Sequence, residues 1–109
     1  MLSVGHALAA DVTWSGSWHR TEPVDGRGGL TLVVKSDGGG TIKLAGSLCL
    51  ATETPATVAT QGSNMRVEIK TEKTNALFAG TVSGGSVSGT MTVSCGGQTG
   101  KGTWEAKAP

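Results

Sequence analysis

The sequence predicts an all-β domain, an antiparallel up-and-down barrel of about eight strands with one disulfide bond. Three observations lead to this prediction. Apolar and polar residues alternate with a period of two through most of the chain, which indicates strands with one buried face. The 18 glycines among 109 residues recur between the alternating segments, where tight hairpin turns need them. No window of ten or more residues has helical spacing or a helix-capping signature.

The first half of the domain contains four predicted strands. They are expected at residues 12–19, 30–35, 41–48 and 56–60, the last being the weakest. Glycines 38–40 turn the chain between the second and third strands, because glycine accepts the positive φ of hairpin turns. The connection from the first strand to the second contains the longest predicted loop, residues 19–27.

The second half of the domain contains four more predicted strands with hairpin-length connections. They are expected at residues 65–70, 78–82, 87–94 and 102–106, the first having the clearest alternation. Antiparallel neighbours joined by short loops form a meander, and a meander of eight strands closes into a barrel without free edges.

A second group of glycines falls on the apolar side of the predicted strands. Its members are Gly16, Gly46, Gly80, Gly89 and Gly102. A missing side chain allows a strand to coil sharply and leaves room for a large neighbour. The three tryptophans, at positions 14, 18 and 104, are the expected neighbours.

Two cysteines, Cys49 and Cys95, suggest one disulfide bond in an exported protein. The alternative is two buried thiols in a cytosolic protein. In a meander the third and seventh strands end at the same rim, which places both cysteines there. These strands lie on opposite sides of an eight-stranded barrel, too far apart for a bond. Either residues 49–55 fold across the mouth, or the barrel is flattened.

Residues 1–10 differ from the rest and are predicted to be an export-signal remnant or a leader tail, with residues 11–109 forming the single barrel domain. We expect an apolar tail to pack either on the mouth of its own barrel or on a neighbouring molecule. The second arrangement would give a homo-oligomer. No stretch is long and apolar enough to span a membrane as a helix. Nine Lys and Arg are offset by eight Asp and Glu and do not cluster, which argues against nucleic-acid binding.

The densest polar cluster lies in the longest predicted loop. His19, Glu22 and Asp25, with Glu53 nearby, are the candidate catalytic residues of a small hydrolase or lyase, as base or as paired acid and base. The alternative is that they are solvated loop charges. Two histidines make a poor metal ligand set, and no nucleotide or nucleophile motif occurs, so neither a metal nor a cofactor is predicted.

Gly16-Ser17-Trp18 on the first strand resembles the Gly-x-Trp signature of the calycin barrels, which include lipocalins and avidins. In those folds the Trp closes the barrel floor and a basic residue from the last strand often covers it, which implies Lys101 or Lys107. In its size, its single disulfide bond and its first-strand motif, the chain is more similar to small bacterial periplasmic inhibitors of metalloproteases than to lipocalins or avidins. Those inhibitors insert an N-terminal tail into the protease cleft. The resemblance implies an extracytoplasmic, periplasmic or secreted, binding protein.

Three functions stay open from the sequence. The first is a binding module that holds a small apolar ligand in the barrel or a protein partner at its rim and tail. Its candidate ligand-binding residues are Trp14, Trp18, Met65, Phe78, Met91 and Trp104. The second is the hydrolase or lyase, and the third is a structural, self-associating barrel with a filled interior.

Overall fold

A computed structural model describes residues 11–47 and 49–109 as eight antiparallel strands. The strands are β1 (Val12–Glu22), β2 (Gly26–Val34), β3 (Gly39–Leu44), β4 (Thr54–Gln61), β5 (Asn64–Lys70), β6 (Thr74–Ser83), β7 (Ser86–Cys95) and β8 (Gln98–Lys107). Each strand pairs with the next along the chain, and β8 pairs with β1 to close the barrel. The predicted fold class is confirmed, including the weak fourth strand.

Alternate residues of each strand point into the barrel and form one core. Its buried members are Trp14, Trp18, Leu30, Leu32, Ile42, Leu44, Leu50, Val58, Met65, Val67, Ile69, Ala76, Phe78, Val87, Met91, Trp104 and Ala106. Phe78 and Trp104 meet edge to face, with ring centroids 5.8 Å apart. The period-two alternation therefore identified the inner face correctly.

Two of the inward glycines show why side chains are missing there. A Cβ atom at Gly89 would overlap the backbone carbonyl oxygen of Ala79 on the neighbouring strand. At Gly80 it would lie 2.9 Å from the Trp104 ring and equally close to Val87. The predicted role of these glycines, to let strands and rings approach closely, is confirmed at both positions.

The connection between β1 and β2 is much shorter than predicted. β1 continues to Glu22 and β2 begins at Gly26, so only residues 23–25 connect them and the predicted long loop at 19–27 is wrong. The pairing of Trp18 with Gly28 explains the difference. A Cβ at Gly28 would overlap the Ala45 carbonyl oxygen and lie 2.7 Å from Trp18 Nε1, so a glycine that looks like a loop residue is required inside the strand.

The third strand ends earlier than predicted. β3 stops at Leu44, and Gly46 lies in a turn with a φ of +87°, so its predicted inward position on a strand is wrong. Leu48, the predicted last residue of that strand, lies outside the described residues. The longest connection is thus residues 45–53, between β3 and β4.

The disulfide bond joins Cys49 in this connection to Cys95 at the end of β7, with the two Cα atoms 6.4 Å apart. Because Cys49 follows β3 and is bonded to the end of β7, the connection joins these two strands at the rim, which agrees with the first of the two predicted alternatives, folding across the mouth. Its Leu50 is fully buried, and the Leu44 amide donates a hydrogen bond of 2.7 Å to the Leu50 carbonyl oxygen. The described residues of this connection, 45–47 and 49–53, hereafter the flap, therefore cover part of the mouth and are held by both the bond and the core.

The predicted leader, residues 1–10, lies outside the described residues, and so do its proposed packing and its proposed role in oligomer formation. Across residues 11–47 and 49–109 there is no helix of the length and apolar character needed to cross a membrane.

Candidate functional site

One cavity lies where β1, β3 and β7 end and β8 begins, at what we call the disulfide rim. It has a volume of about 240 Å³ and is hereafter the mouth pocket. Its lining residues are Trp18, Arg20, Pro23, Val24, Leu44, Ser47, Cys49, Met91, Val93, Cys95, Gln98, Thr99 and Gly100.

The inner end of the mouth pocket is apolar and is formed by core residues. Trp18, Leu44 and Met91 are buried core residues that also line the pocket. Trp18 Nε1 donates a hydrogen bond of 3.0 Å to the Ala45 carbonyl oxygen at the start of the flap. Because the indole N–H is satisfied by the protein, the ring presents only apolar surface to a ligand.

The sides of the pocket come from β7, from β8 and from the disulfide. Val93 and Cys95 follow Met91 on the inner side of β7, and both are only partly buried. Gly100, on the inner side of β8, has no side chain to fill the space beside them. The pocket exists because small residues occupy the rim positions above the large core side chains.

Arg20 is the one charged residue among those that line the pocket. It lies two residues beyond Trp18 on the same strand, and therefore on the inner side of the barrel. Its Nε donates a hydrogen bond of 2.8 Å to the Val24 carbonyl oxygen. Sequence reasoning missed Arg20, although extending the alternation of Trp14 and Trp18 by one step would have found it.

The basic residue beside the signature tryptophan is therefore Arg20 of β1, and the expectation from the resemblance is wrong. Lys101 and Lys107 of the last strand are exposed and alternate with the buried Trp104, which places them on the outside of the barrel.

Two of the four candidate catalytic residues meet on the outer surface. His19 Nε2 donates a 2.6 Å hydrogen bond to Asp25 Oδ1, and Arg27 Nε lies 3.8 Å from the other carboxylate oxygen. The hydrogen bond from His19, aided by the nearby positive charges, holds the pKa of Asp25 below its ordinary value of 3.8. Asp25 is 67 % exposed, so this pair faces solvent.

The other two candidates are not brought to this pair. Glu22 and Glu53 are exposed, and neither forms an ion pair or side-chain hydrogen bond with a described residue. Within residues 11–47 and 49–109, no hydroxyl group is hydrogen-bonded to the second ring nitrogen of His19, as a nucleophile relay would require. The geometry does not favour the hydrolase or lyase hypothesis.

The six candidate ligand-binding residues are all buried, but they are not equivalent. Trp18 and Met91 line the mouth pocket, whereas Trp14, Met65, Phe78 and Trp104 pack deeper in the core. Ligand binding by any of them stays a prediction.

In the described part of the chain, no three or more His, Cys, Asp or Glu residues are grouped so as to hold a metal ion. No protein-family model matches the sequence, and no curated protein is significantly similar to it.

Proposed function

We propose that the protein is a small extracytoplasmic binding module that holds a small apolar ligand in the mouth pocket. The mouth pocket itself is the observation that supports the proposal: a cavity of about 240 Å³ whose inner end is made by Trp18, Leu44 and Met91. Concave, preformed and mostly apolar cavities are the usual form of small-molecule sites.

The position of the pocket favours a ligand at the rim over one deep in the barrel. Met65, Phe78 and Trp104 are almost fully buried, and Phe78 packs against Trp104 along the interior. A ligand would therefore rest on the core and would be reached from the disulfide rim.

The extracytoplasmic location is supported by the Cys49–Cys95 bond, because such bonds persist in oxidising compartments. The resemblance of Gly16-Ser17-Trp18 to the calycin signature points the same way. Both observations agree with a periplasmic or secreted protein.

A protein partner at the rim, as in an inhibitor, has less support. Among the described residues, Val12 and Val24 are the exposed large hydrophobic side chains; Val12 begins β1, and Val24 lies in the connection that follows the other end of β1. Two separated valines do not form the contiguous apolar patch that marks a protein interface. The pocket therefore favours the small ligand.

Two phenylalanine variants test the pocket directly. Val93→Phe places a ring in the pocket, whereas Thr92→Phe places the same ring on the exposed side of the same strand. Calorimetric titration with 1-octanol should show binding to the wild type and to Thr92→Phe, and at least tenfold weaker binding to Val93→Phe. Equal affinities of the two variants, or a wild-type protein that binds no eight-carbon probe, neutral or charged, would contradict the proposal.

Native mass spectrometry of freshly purified protein provides an independent measurement. We expect a bound small molecule that is lost on activation, together with the mass of the oxidised cysteine pair. The same spectrum reports the oligomeric state.

A further inference from the structure

We infer that the ligand of the mouth pocket is a small anionic amphiphile, with a carboxylate held by Arg20 and an apolar chain of about seven carbons on Trp18 and Met91. The inference rests on the proposed function and specifies the chemical class of its ligand.

The first step is the charge of the pocket. Arg20 is its one ionised lining residue, and the remaining lining side chains are apolar or neutral. Among the residues that the structure describes, no carboxylate lies within 4.0 Å of the Arg20 guanidinium. The nearby acid, Asp25, is already bonded to His19 and faces Arg27. A permanent positive charge beside apolar side chains, with no carboxylate bonded to it among the described residues, favours an anionic ligand.

The second step is the geometry of the guanidinium. Nε is used by the Val24 carbonyl oxygen, which fixes the orientation of the group. The two terminal nitrogens make no hydrogen bond with a described residue. A Cβ at Gly26 would lie 2.8 Å from Nη2, so this nitrogen lies directly over a residue with no side chain. A planar pair of free N–H donors matches the two oxygens of a carboxylate.

The third step is the position of the Arg20 stem. A Cβ at Gly100 would lie 2.9 Å from Arg20 Cδ, so the stem lies against β8 at the edge of the pocket. The charged end is therefore at the rim, while Trp18 and Met91 are buried below it. An amphiphile would enter with its chain inward and its head group at the rim.

The fourth step is the size of the ligand. A cavity of about 240 Å³ has room for about eight water-sized groups, at about 30 Å³ each. Seven chain carbons fill this space and leave the carboxylate at the rim, so octanoate is a suitable probe.

Three probes with the same chain and different head groups test the inference by calorimetric titration. They are octanoate, 1-octanol and octylammonium. Because a hydrogen bond between charged groups is stronger than one to a neutral group, we expect the wild type to bind octanoate about ten- to a hundredfold more tightly than 1-octanol. Octylammonium should bind most weakly, because its charge has the same sign as that of Arg20. Arg20→Gln should reduce the affinity for octanoate to that for 1-octanol, while Arg27→Gln, which removes an exposed cation outside the pocket, should leave the preference intact.

The outcomes separate the inference from the proposed function. Equal binding of octanoate and 1-octanol, or tighter binding of octylammonium, would overturn the inference of an anionic ligand. Ligand binding in the mouth pocket would still be supported. Failure of all three probes would overturn the proposed function as well. If Arg20→Gln does not fold, because the bond to Val24 is lost, the wild-type ranking of the three head groups still decides the question. Arg20→Lys, which keeps the charge, should retain a part of the preference.

Discussion

Removing the Cys49–Cys95 bond by the double substitution Cys49→Ser and Cys95→Ser is expected to lower the stability of the barrel strongly. The two cysteines are separated by 46 residues in sequence. For a loop of this length, loop-closure entropy gives about 4 kcal/mol at 25 °C. With an unfolding entropy of about 2.1 cal/mol/K per residue, this loss lowers Tm by about 17 °C.

The structure adds a local effect to this global one. The bond fixes the flap, and Leu50 of the flap is fully buried against the core. Freeing the flap would allow Leu50 to leave the core, so the loss should reach the upper part of the range of about 2 to 5 kcal/mol seen for native disulfides.

Urea unfolding, followed by tryptophan fluorescence, measures the effect in the oxidised wild type and in the double serine variant. Reductant should bring the wild type to the stability of the variant, and should not change the variant itself, which serves as its own control. A loss of less than about 1 kcal/mol would refute the view that the bond restrains the unfolded chain and the flap.

Three further substitutions test the core and the rim. Gly28→Ala should cost about 3 kcal/mol in urea unfolding and shift the indole N–H signal of Trp18, because the added Cβ overlaps the Ala45 carbonyl oxygen and meets the indole nitrogen bonded to it at 2.7 Å. Phe78→Ala should cost about 3–5 kcal/mol, since the side chain is fully buried; a cost below 1 kcal/mol would contradict its place in the core. His19→Ala should raise the pKa of Asp25 toward 3.8 in an NMR titration, and an unchanged pKa would exclude the hydrogen bond as its cause.

The pH dependence of the His19–Asp25 pair follows from the sign of that shift. Because folding lowers the pKa of Asp25, the pair stabilises the folded state above the ordinary carboxyl pKa of 3.8. The contribution is lost as pH falls through the lowered value. The difference in stability between wild type and His19→Ala should accordingly diminish at acidic pH.

The alternation of apolar residues was sufficient to predict the barrel, because most inward positions carry an apolar side chain or a glycine. It failed at β1 and β2, where Gly26 and Gly28 look like loop residues. Only the packing of Trp18 against Gly28 reveals that this segment is a strand. Such a contact between two strands is not encoded in the local pattern of either one.

The candidate site was harder to predict than the fold, because it too depends on contacts between segments that the local sequence pattern does not show. Because the first predicted strand ends at His19, Arg20 falls in the predicted loop. Its position two residues after Trp18 places it on the inner side of β1. At the other end, Gly46 continues the alternation of β3 but adopts a φ of +87° in a turn. The buried Leu50 then fills the mouth from a connection that has no strand pattern.

The most direct test of the central claim, that the mouth pocket holds an anionic amphiphile, is NMR spectroscopy of the protein with isotope-labelled octanoate. We expect nuclear Overhauser effects between the chain of octanoate and the side chains of Trp18 and Met91, together with a shift of the Arg20 Nη–H signals. Contacts confined to the outer face near His19 and Asp25, or an unchanged Arg20 signal in the bound state, would contradict it.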